Sequence, residues 1–271
     1  MAFRWWWQPD ASLLSITIDA GTGPVVVMIH GIASSSVTFH DLVPLLKPTH
    51  RCITIDILGF GTSPQPANAT YSLDEHAEAL DRTIRSLDLD EPFILIGHSL
   101  GGIIAARYAA THPRKLSRLV LVGTPVYLPP VMLGDEGDRS TMGAYFSLYE
   151  YMRSNPSLTQ RAAAALASIA PIKNVLELTE ENWVPFTLSL KNAIESQTTL
   201  ADMAQVRIPI DFVFGGLDPF LASSALGIVQ QLRNVTTLRV PRAAHLIRSK
   251  LAEAVALVVD GEAGRAPTVM A

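Results

Sequence analysis

The run Gly97-His98-Ser99-Leu100-Gly101 sets a serine between glycines, directly after the apolar stretch Pro92-Phe93-Ile94-Leu95-Ile96. Small flanking residues allow a sharp strand-to-helix turn that lifts a hydroxyl above a sheet. A free hydroxyl is a weak nucleophile at neutral pH, so Ser99 needs a base. Of the seven histidines, His245 is the best placed. It follows the strand-like Leu238-Arg239-Val240-Pro241 after the short loop Arg242-Ala243-Ala244. His98 adjoins Ser99 in the turn, and its side chain is expected to point away from the hydroxyl. A carboxylate is needed to hold the imidazole in its useful tautomer. Asp218, after Phe214-Gly215-Gly216-Leu217, is the candidate, with capping of a following helix as its other reading. Asp211 begins the same apolar run and so falls at the wrong end of the sheet. The chain order Ser99, Asp218, His245 is the one that accompanies this kind of turn.

Acyl transfer through such a serine develops a negative oxygen, and backbone N–H groups aimed at it are a major catalytic contribution. One donor is expected from Leu100, at the start of a helix. A second is expected from the loop His30-Gly31-Ile32, at the N–H of Ile32, with Ala33 as the alternative register. Gly31 allows close backbone approach, and His30 is read as a prop for this loop. Ser34, Ser35 and Ser36 either donate to a polar substrate group or cap a helix near Val37, the latter being favoured. Asp56-Ile57-Leu58-Gly59-Phe60-Gly61-Thr62-Ser63 is rich in glycine but leads into Pro64 and Pro66, not into a helix. It is read as a structural loop at the pocket edge, without a dinucleotide or phosphate fingerprint. The histidines are too scattered for a metal site, and the chemistry needs no metal or organic cofactor.

These groups must be carried by alternating strands and helices. Leu13–Ile18, Val25–Ile29, Cys52–Ile55, Phe93–Ile96 and Leu119–Val122 read as strands, with helical patterns at Phe39–Leu46, Leu73–Leu87 and Leu100–Ala110. Ser72 and Glu75 form a capping box for the second helix. The strands lack polar alternation, so both sheet faces are buried under helices. A doubly wound, mostly parallel α/β sheet follows, with ligands at the C-terminal strand ends. Residues 11–124 and 208–260 form this core. Residues 125–207 lack a strand run and read as an inserted helical cap with helices at Thr141–Arg153, Leu158–Ile169 and Glu180–Ala193. The core pattern resumes with Ile210–Phe214, helix Leu221–Leu232, strand Val235–Val240 and helix Leu246–Val259, and 261–271 is a loose tail. Cap residues Tyr127, Leu128, Met132, Tyr145, Phe146, Tyr149, Trp183, Phe186 and Leu190 divide between packing and substrate contact. Ser34, Tyr127, Tyr145, Phe146, Trp183 and Phe186 are the pocket candidates.

Composition narrows the class. The 271 residues are 48% hydrophobic and 17% charged, with 21 Lys+Arg against 25 Asp+Glu and a formal charge of −4. That excludes a disordered chain and disfavours nucleic acid as a partner. The one cysteine, Cys52, forms no intrachain disulfide and reads as a small buried hydrophobe in a strand. No apolar run approaches the roughly 20 residues of a membrane span, and the start lacks a signal-peptide pattern, so a cytoplasmic protein is expected. Trp5-Trp6-Trp7 reads as a patch docking the N-terminus on the body, with an interface or membrane-surface contact as the alternative. Monomer and homodimer stay open.

His30-Gly31, the Asp56–Ser63 loop, Gly97-His98-Ser99-Leu100-Gly101-Gly102, Asp218 after Gly215-Gly216, and His245 together resemble the α/β-hydrolase fold superfamily, in its small capped branch. The resemblance spans about residues 25–260. It implies a serine hydrolase acting on a carboxylic ester or lactone of a small, fairly apolar substrate through an acyl-enzyme. The alternative it carries is a carbon–carbon bond hydrolase of diketone-type ring-cleavage products, and a third is a binding protein with a vestigial triad. Haloalkane dehalogenases and epoxide hydrolases of the superfamily carry an aspartate nucleophile, which disfavours both for a chain with Ser99. Ring-cleavage hydrolases usually have a longer glycine run after the His-Gly and a tryptophan after the catalytic histidine. This chain has Ile32-Ala33-Ser34 and Leu246 there. Relatives also commonly have a fuller hairpin before the His-Gly strand, where only Leu13–Ile18 is strand-like here.

Overall fold

A computed structural model describes residues 12–127, 136–169, 177–221 and 223–261. The strands are β1 (Ile16–Ala20), β2 (Val25–Ile29), β3 (Arg51–Ile55), β4 (Phe93–His98), β5 (Leu116–Val122), β6 (Ile210–Gly215) and β7 (Val235–Val240). They form one sheet in the order β1-β3-β2-β4-β5-β6-β7, and β1 alone among them pairs antiparallel. This is the expected α/β architecture, mostly parallel, with inserted helices as a cap.

The helices are α1 (Val43–Leu46), after a 3-10 turn at Ser36–Phe39, α2 (Leu73–Ser86), α3 (Leu100–Thr111), α4 (Glu136–Ser154), α5 (Pro156–Ile169), α6 (Trp183–Ser189), α7 (Thr199–Gln205), α8 (Ser223–Val229) and α9 (Lys250–Val259). Alternate strand residues reach opposite faces. Val27 and Ile29 join Ile103, Ile104 and Leu80 on one side, while Val26 and Met28 join Leu42, Leu46, Leu251 and Val255 on the other. The run Val25–Ile29 is therefore buried on both faces, which is why it shows no polar alternation, whereas the edge strands β1 and β7 are partly exposed. Cys52 is fully buried in β3, and burial pushes its thiol up to about 11.

Local differences from the sequence reading have local causes. The first strand lies at Ile16–Ala20 because its partners are Ile55 through Cys52 on β3. The helix expected at Phe39–Leu46 is a 3-10 turn and one α turn, broken where Pro44 lacks an N–H. Ser72 caps α2 by accepting the Glu75 N–H, but the Glu75 carboxylate reaches past Ser72 to the N–H groups of Thr70 and Tyr71, both at 2.7 Å. The last helix starts at Lys250 and not at Leu246, because Ser249 turns the chain at φ 40° and gives its N–H to Asp41. The Glu180–Ala193 pattern begins at Trp183 and widens into a π-helical turn at Leu190–Ile194. Helix α7 was not expected, and it packs on α3. Trp5-Trp6-Trp7, Leu128, Met132 and residues 262–271 lie outside the described residues. Among the described residues no helix is long and apolar enough to cross a membrane.

Candidate active site

Ser99 stands between β4 and α3 at φ 53° and ψ −120°, a conformation that costs a non-glycine residue free energy. Its N–H is held by the Val122 carbonyl at 3.0 Å, and its hydroxyl makes no capping bond to α3. The glycines explain how a helix can start so close to a sheet. A Cβ at Gly101 would lie 2.4 Å from the carbonyl oxygens of Ile29 and His30, and one at Gly97 would lie 2.4 Å from the Gly101 carbonyl oxygen.

The base and acid arrive on two loops fastened to each other. Gly216 donates to the Val240 carbonyl at 2.8 Å, and Leu217 donates to the Ala243 carbonyl at 2.9 Å. His245 Nδ1 lies 2.8 Å from Asp218 Oδ2, and the Asp218 side chain is fully buried. A carboxylate accepts, so Nδ1 carries the proton and Nε2 keeps a lone pair. Asp218 Oδ1 accepts the Phe220 N–H at 3.0 Å, and the Phe220 ring stands edge-on to His245 at 4.8 Å. The carboxylate thus closes its own turn with one oxygen and orients the imidazole with the other. Asp211 is elsewhere, beside Arg118 at the start of β6. A Cβ at Gly123, next to the strand that holds Ser99, would come 3.1 Å from Asp218 Oδ2 and 3.2 Å from His245 Nδ1. The three residues are therefore brought to one edge of the sheet.

Leu100 is the first residue of α3, where N–H groups have no acceptor in their own helix. The loop of Ile32 runs alongside, since a Cβ at Gly31 would sit 2.9 Å from the Ser99 Cβ. His30 is fully buried under this loop. Its Nδ1–H donates to the Gly31 carbonyl at 2.8 Å and its Nε2 accepts from Ile57 at 3.1 Å. Both nitrogens are thereby used by the neutral ring, and burial lowers its pKa.

The loop after β3 is built around Asp56. Its Oδ1 accepts the N–H and hydroxyl of Ser36, and its Oδ2 accepts those of Thr62. Gly61, at φ 57°, leaves the space, as its Cβ would lie 2.1 Å from Asp56 Oδ2. Ser36 is therefore tied to Asp56 and does not cap a helix. Ser35 makes no side-chain capping bond, and the Ser34 hydroxyl meets that of Thr38 at 2.9 Å.

Two features escaped the sequence reading. Phe220 was within reach of it, as an aromatic two residues past the candidate acid. The turn predicts a His98 side chain pointing away from the Ser99 hydroxyl and says nothing of its partner. His98 is buried, and its Nε2 lies 2.9 Å from the backbone carbonyl of His245, 147 residues along the chain. No sequence signal links these two positions.

The pocket candidates separate into two aromatic groups. Tyr127 is buried, with Tyr145 stacked on it at 5.8 Å, Phe146 edge-on at 5.9 Å and its hydroxyl 2.5 Å from that of Tyr149. The Tyr145 hydroxyl donates to the Pro219 carbonyl, next to the acid. Burial pushes the Tyr127 hydroxyl pKa up. Phe186 is buried and Trp183 half-buried, their rings 5.6 Å apart. Among the described residues no group of three or more His, Cys, Asp or Glu is arranged to hold a metal.

A family model described as alpha/beta hydrolase fold matches residues 24–163. Cis-3-alkyl-4-alkyloxetan-2-one decarboxylase of Shewanella oneidensis is 37% identical over 115 residues, covering 42% of this chain and 36% of that one. Pimeloyl-[acyl-carrier protein] methyl ester esterase of Aeromonas hydrophila is 34% identical over 124 residues, covering 45% and 46%. The matched stretches span less than half of either relative. The crystal structure of E-2-(acetamidomethylene)succinate hydrolase superposes with a TM-score of 0.68 over 92% of this chain and 94% of the other, at 21% identity, a likeness of fold.

Proposed function

The chain belongs to the alpha/beta hydrolase fold family, and from that premise we propose that it is a serine hydrolase that cleaves a carboxylic ester or lactone. The observation that carries this reading is the convergence at one sheet edge of a strained Ser99 and the 2.8 Å His245–Asp218 pair. In this mechanism His245 Nε2 takes the Ser99 proton as the hydroxyl oxygen attacks the substrate carbonyl. The N–H groups of Leu100 and Ile32 receive the developing oxyanion. The protonated His245 then gives its proton to the leaving oxygen, and water repeats the cycle on the acyl-enzyme. Asp218 keeps the imidazole in register and stabilises its cationic form.

The aromatic cap residues support a small, fairly apolar acyl or alcohol group. The methyl ester esterase among the relatives is in keeping with an ester substrate. Turnover of p-nitrophenyl esters and simple lactones by the wild type, lost in Ser99→Ala and His245→Ala, is the expected result. Hydrolysis of vinylogous diketones with no ester turnover would instead select carbon–carbon cleavage. Full ester turnover by Ser99→Ala contradicts the mechanism.

A further inference from the structure

The hydrogen bonds from Gly216 and Leu217 fasten the base loop to the acid loop, and nothing in them sets the base against the nucleophile. His98 does. It is the last residue of β4 and the immediate neighbour of Ser99. Its Nε2 lies 2.9 Å from the His245 carbonyl oxygen, and the two imidazole rings are 4.8 Å apart at 48°. A carbonyl can only accept, so Nε2 carries the hydrogen. Nδ1 is then the lone-pair nitrogen, and it is buried without a partner among the described residues, facing Gly31, whose Cβ would lie 3.3 Å away. The ring is thus placed for one bond.

We propose that His98 is a positioning residue whose Nε2–H holds the His245 carbonyl and so sets the distance between the base and the serine beside it. The inference rests on the serine-hydrolase reading. A shift of His245 away from Ser99 stretches this bond, because His98 and Ser99 are consecutive in the chain. Burial also keeps the His98 ring neutral, down to about 3, so no second cation stands beside His245 when it takes up a proton.

The test compares His98→Gln, whose amide N–H has about the reach of Nε2, with His98→Met, which fills the site without a donor. With p-nitrophenyl butyrate, His98→Met is expected to lose about 10- to 100-fold in kcat with KM nearly unchanged, as small misplacements of reacting groups do, while His98→Gln stays within about threefold. Both variants remove the ring from the same buried site, so a packing role alone lowers them together. Equal losses, or wild-type kcat in His98→Met, overturn the proposal. Should His98→Met not fold, nitrogen-15 histidine spectra of the wild type decide. A neutral Nε2–H ring at position 98 from pH 5 to 8 supports the bond, and the Nδ1–H tautomer rejects it. Labelling of wild-type Ser99 by a fluorophosphonate separates failure of this inference from failure of the hydrolase reading.

Discussion

Asp56 and Tyr127 are held in two different ways. Asp56, in the loop after β3, accepts four hydrogen bonds from Ser36 and Thr62, and has one arrangement in which all four are made. Tyr127, at the root of the cap, is held by Tyr145, Phe146 and Tyr149 through ring faces and edges and one hydroxyl contact. Hydrogen bonds to a charged group are strong and directional, whereas ring contacts are each small and tolerate altered shapes. The sheet edge is thus suited to hold one chemistry, and the cap to vary what that chemistry is applied to. Substitutions at the edge should lower turnover of every substrate, and those in the cap should re-rank substrates.

Ser99→Ala should lower kcat/KM by about 10³- to 10⁶-fold on any ester, measured against the background rate. Ser99→Gly should be equally inactive but more stable, because it relieves the positive φ. A lower Tm for Ser99→Gly than for Ser99→Ala would count against stored strain. Asp218→Asn should cost about 10⁴-fold in kcat by favouring the wrong tautomer of His245, with little change in KM. Asp56→Ala leaves four donors without their acceptor and should lower the unfolding free energy by about 3–5 kcal/mol in urea titration. A cost under about 1 kcal/mol would show that the loop is no better determined than the cap.

Acid should weaken the core before it titrates most carboxylates. Burial lowers the pKa of His30, His76 and His98, the last two to about 3. The unfolded chain binds these protons near the ordinary histidine value of about 6.5, so below it the unfolded state binds more protons than the folded one. Stability must then fall as pH drops from about 6.5 toward 3, by up to about 1.4 kcal/mol per pH unit for each of His76 and His98, with His30 adding in the same direction. Thermal unfolding between pH 7 and 5 should show this slope, and His76→Gln should flatten it. Tyr127→Phe, the smallest change, should cost about 1 kcal/mol. It should change KM ratios within an acyl-chain series more than kcat on a short ester, and uniform loss across the series would break the contrast between edge and cap.

What could be read from the sequence follows the same division. Val25–Ile29 is legible to the residue, since a β-branched run buried on both faces has one use, and Val235–Val240 is legible at its bounds although as an edge strand it exposes Thr236 and Arg239. Ser99, Asp218 and His245 are legible as candidates, because strand ends, glycines and a polar residue adjoin in the chain, and the structure brings the three together. The Asp56 loop reads as structural from its glycines and prolines, but its bond to Ser36 spans 20 residues, and no local pattern separates that role from capping. The His98 contact depends on where the 241–249 loop comes to rest, which no local pattern records. Between β5 and β6, α7 is seven residues long and shows too few turns for a periodicity, and the aromatic partners of Tyr127 come from α4.

The central claim is that Ser99 is the nucleophile and His245 its activator. Treating the wild type with a fluorophosphonate and locating the adduct by peptide mass spectrometry tests it most directly. The expected result is one adduct, on Ser99, formed at least about 10³-fold more slowly in His245→Ala. An adduct on another residue, or on Ser99 at the same rate without His245, would contradict the account.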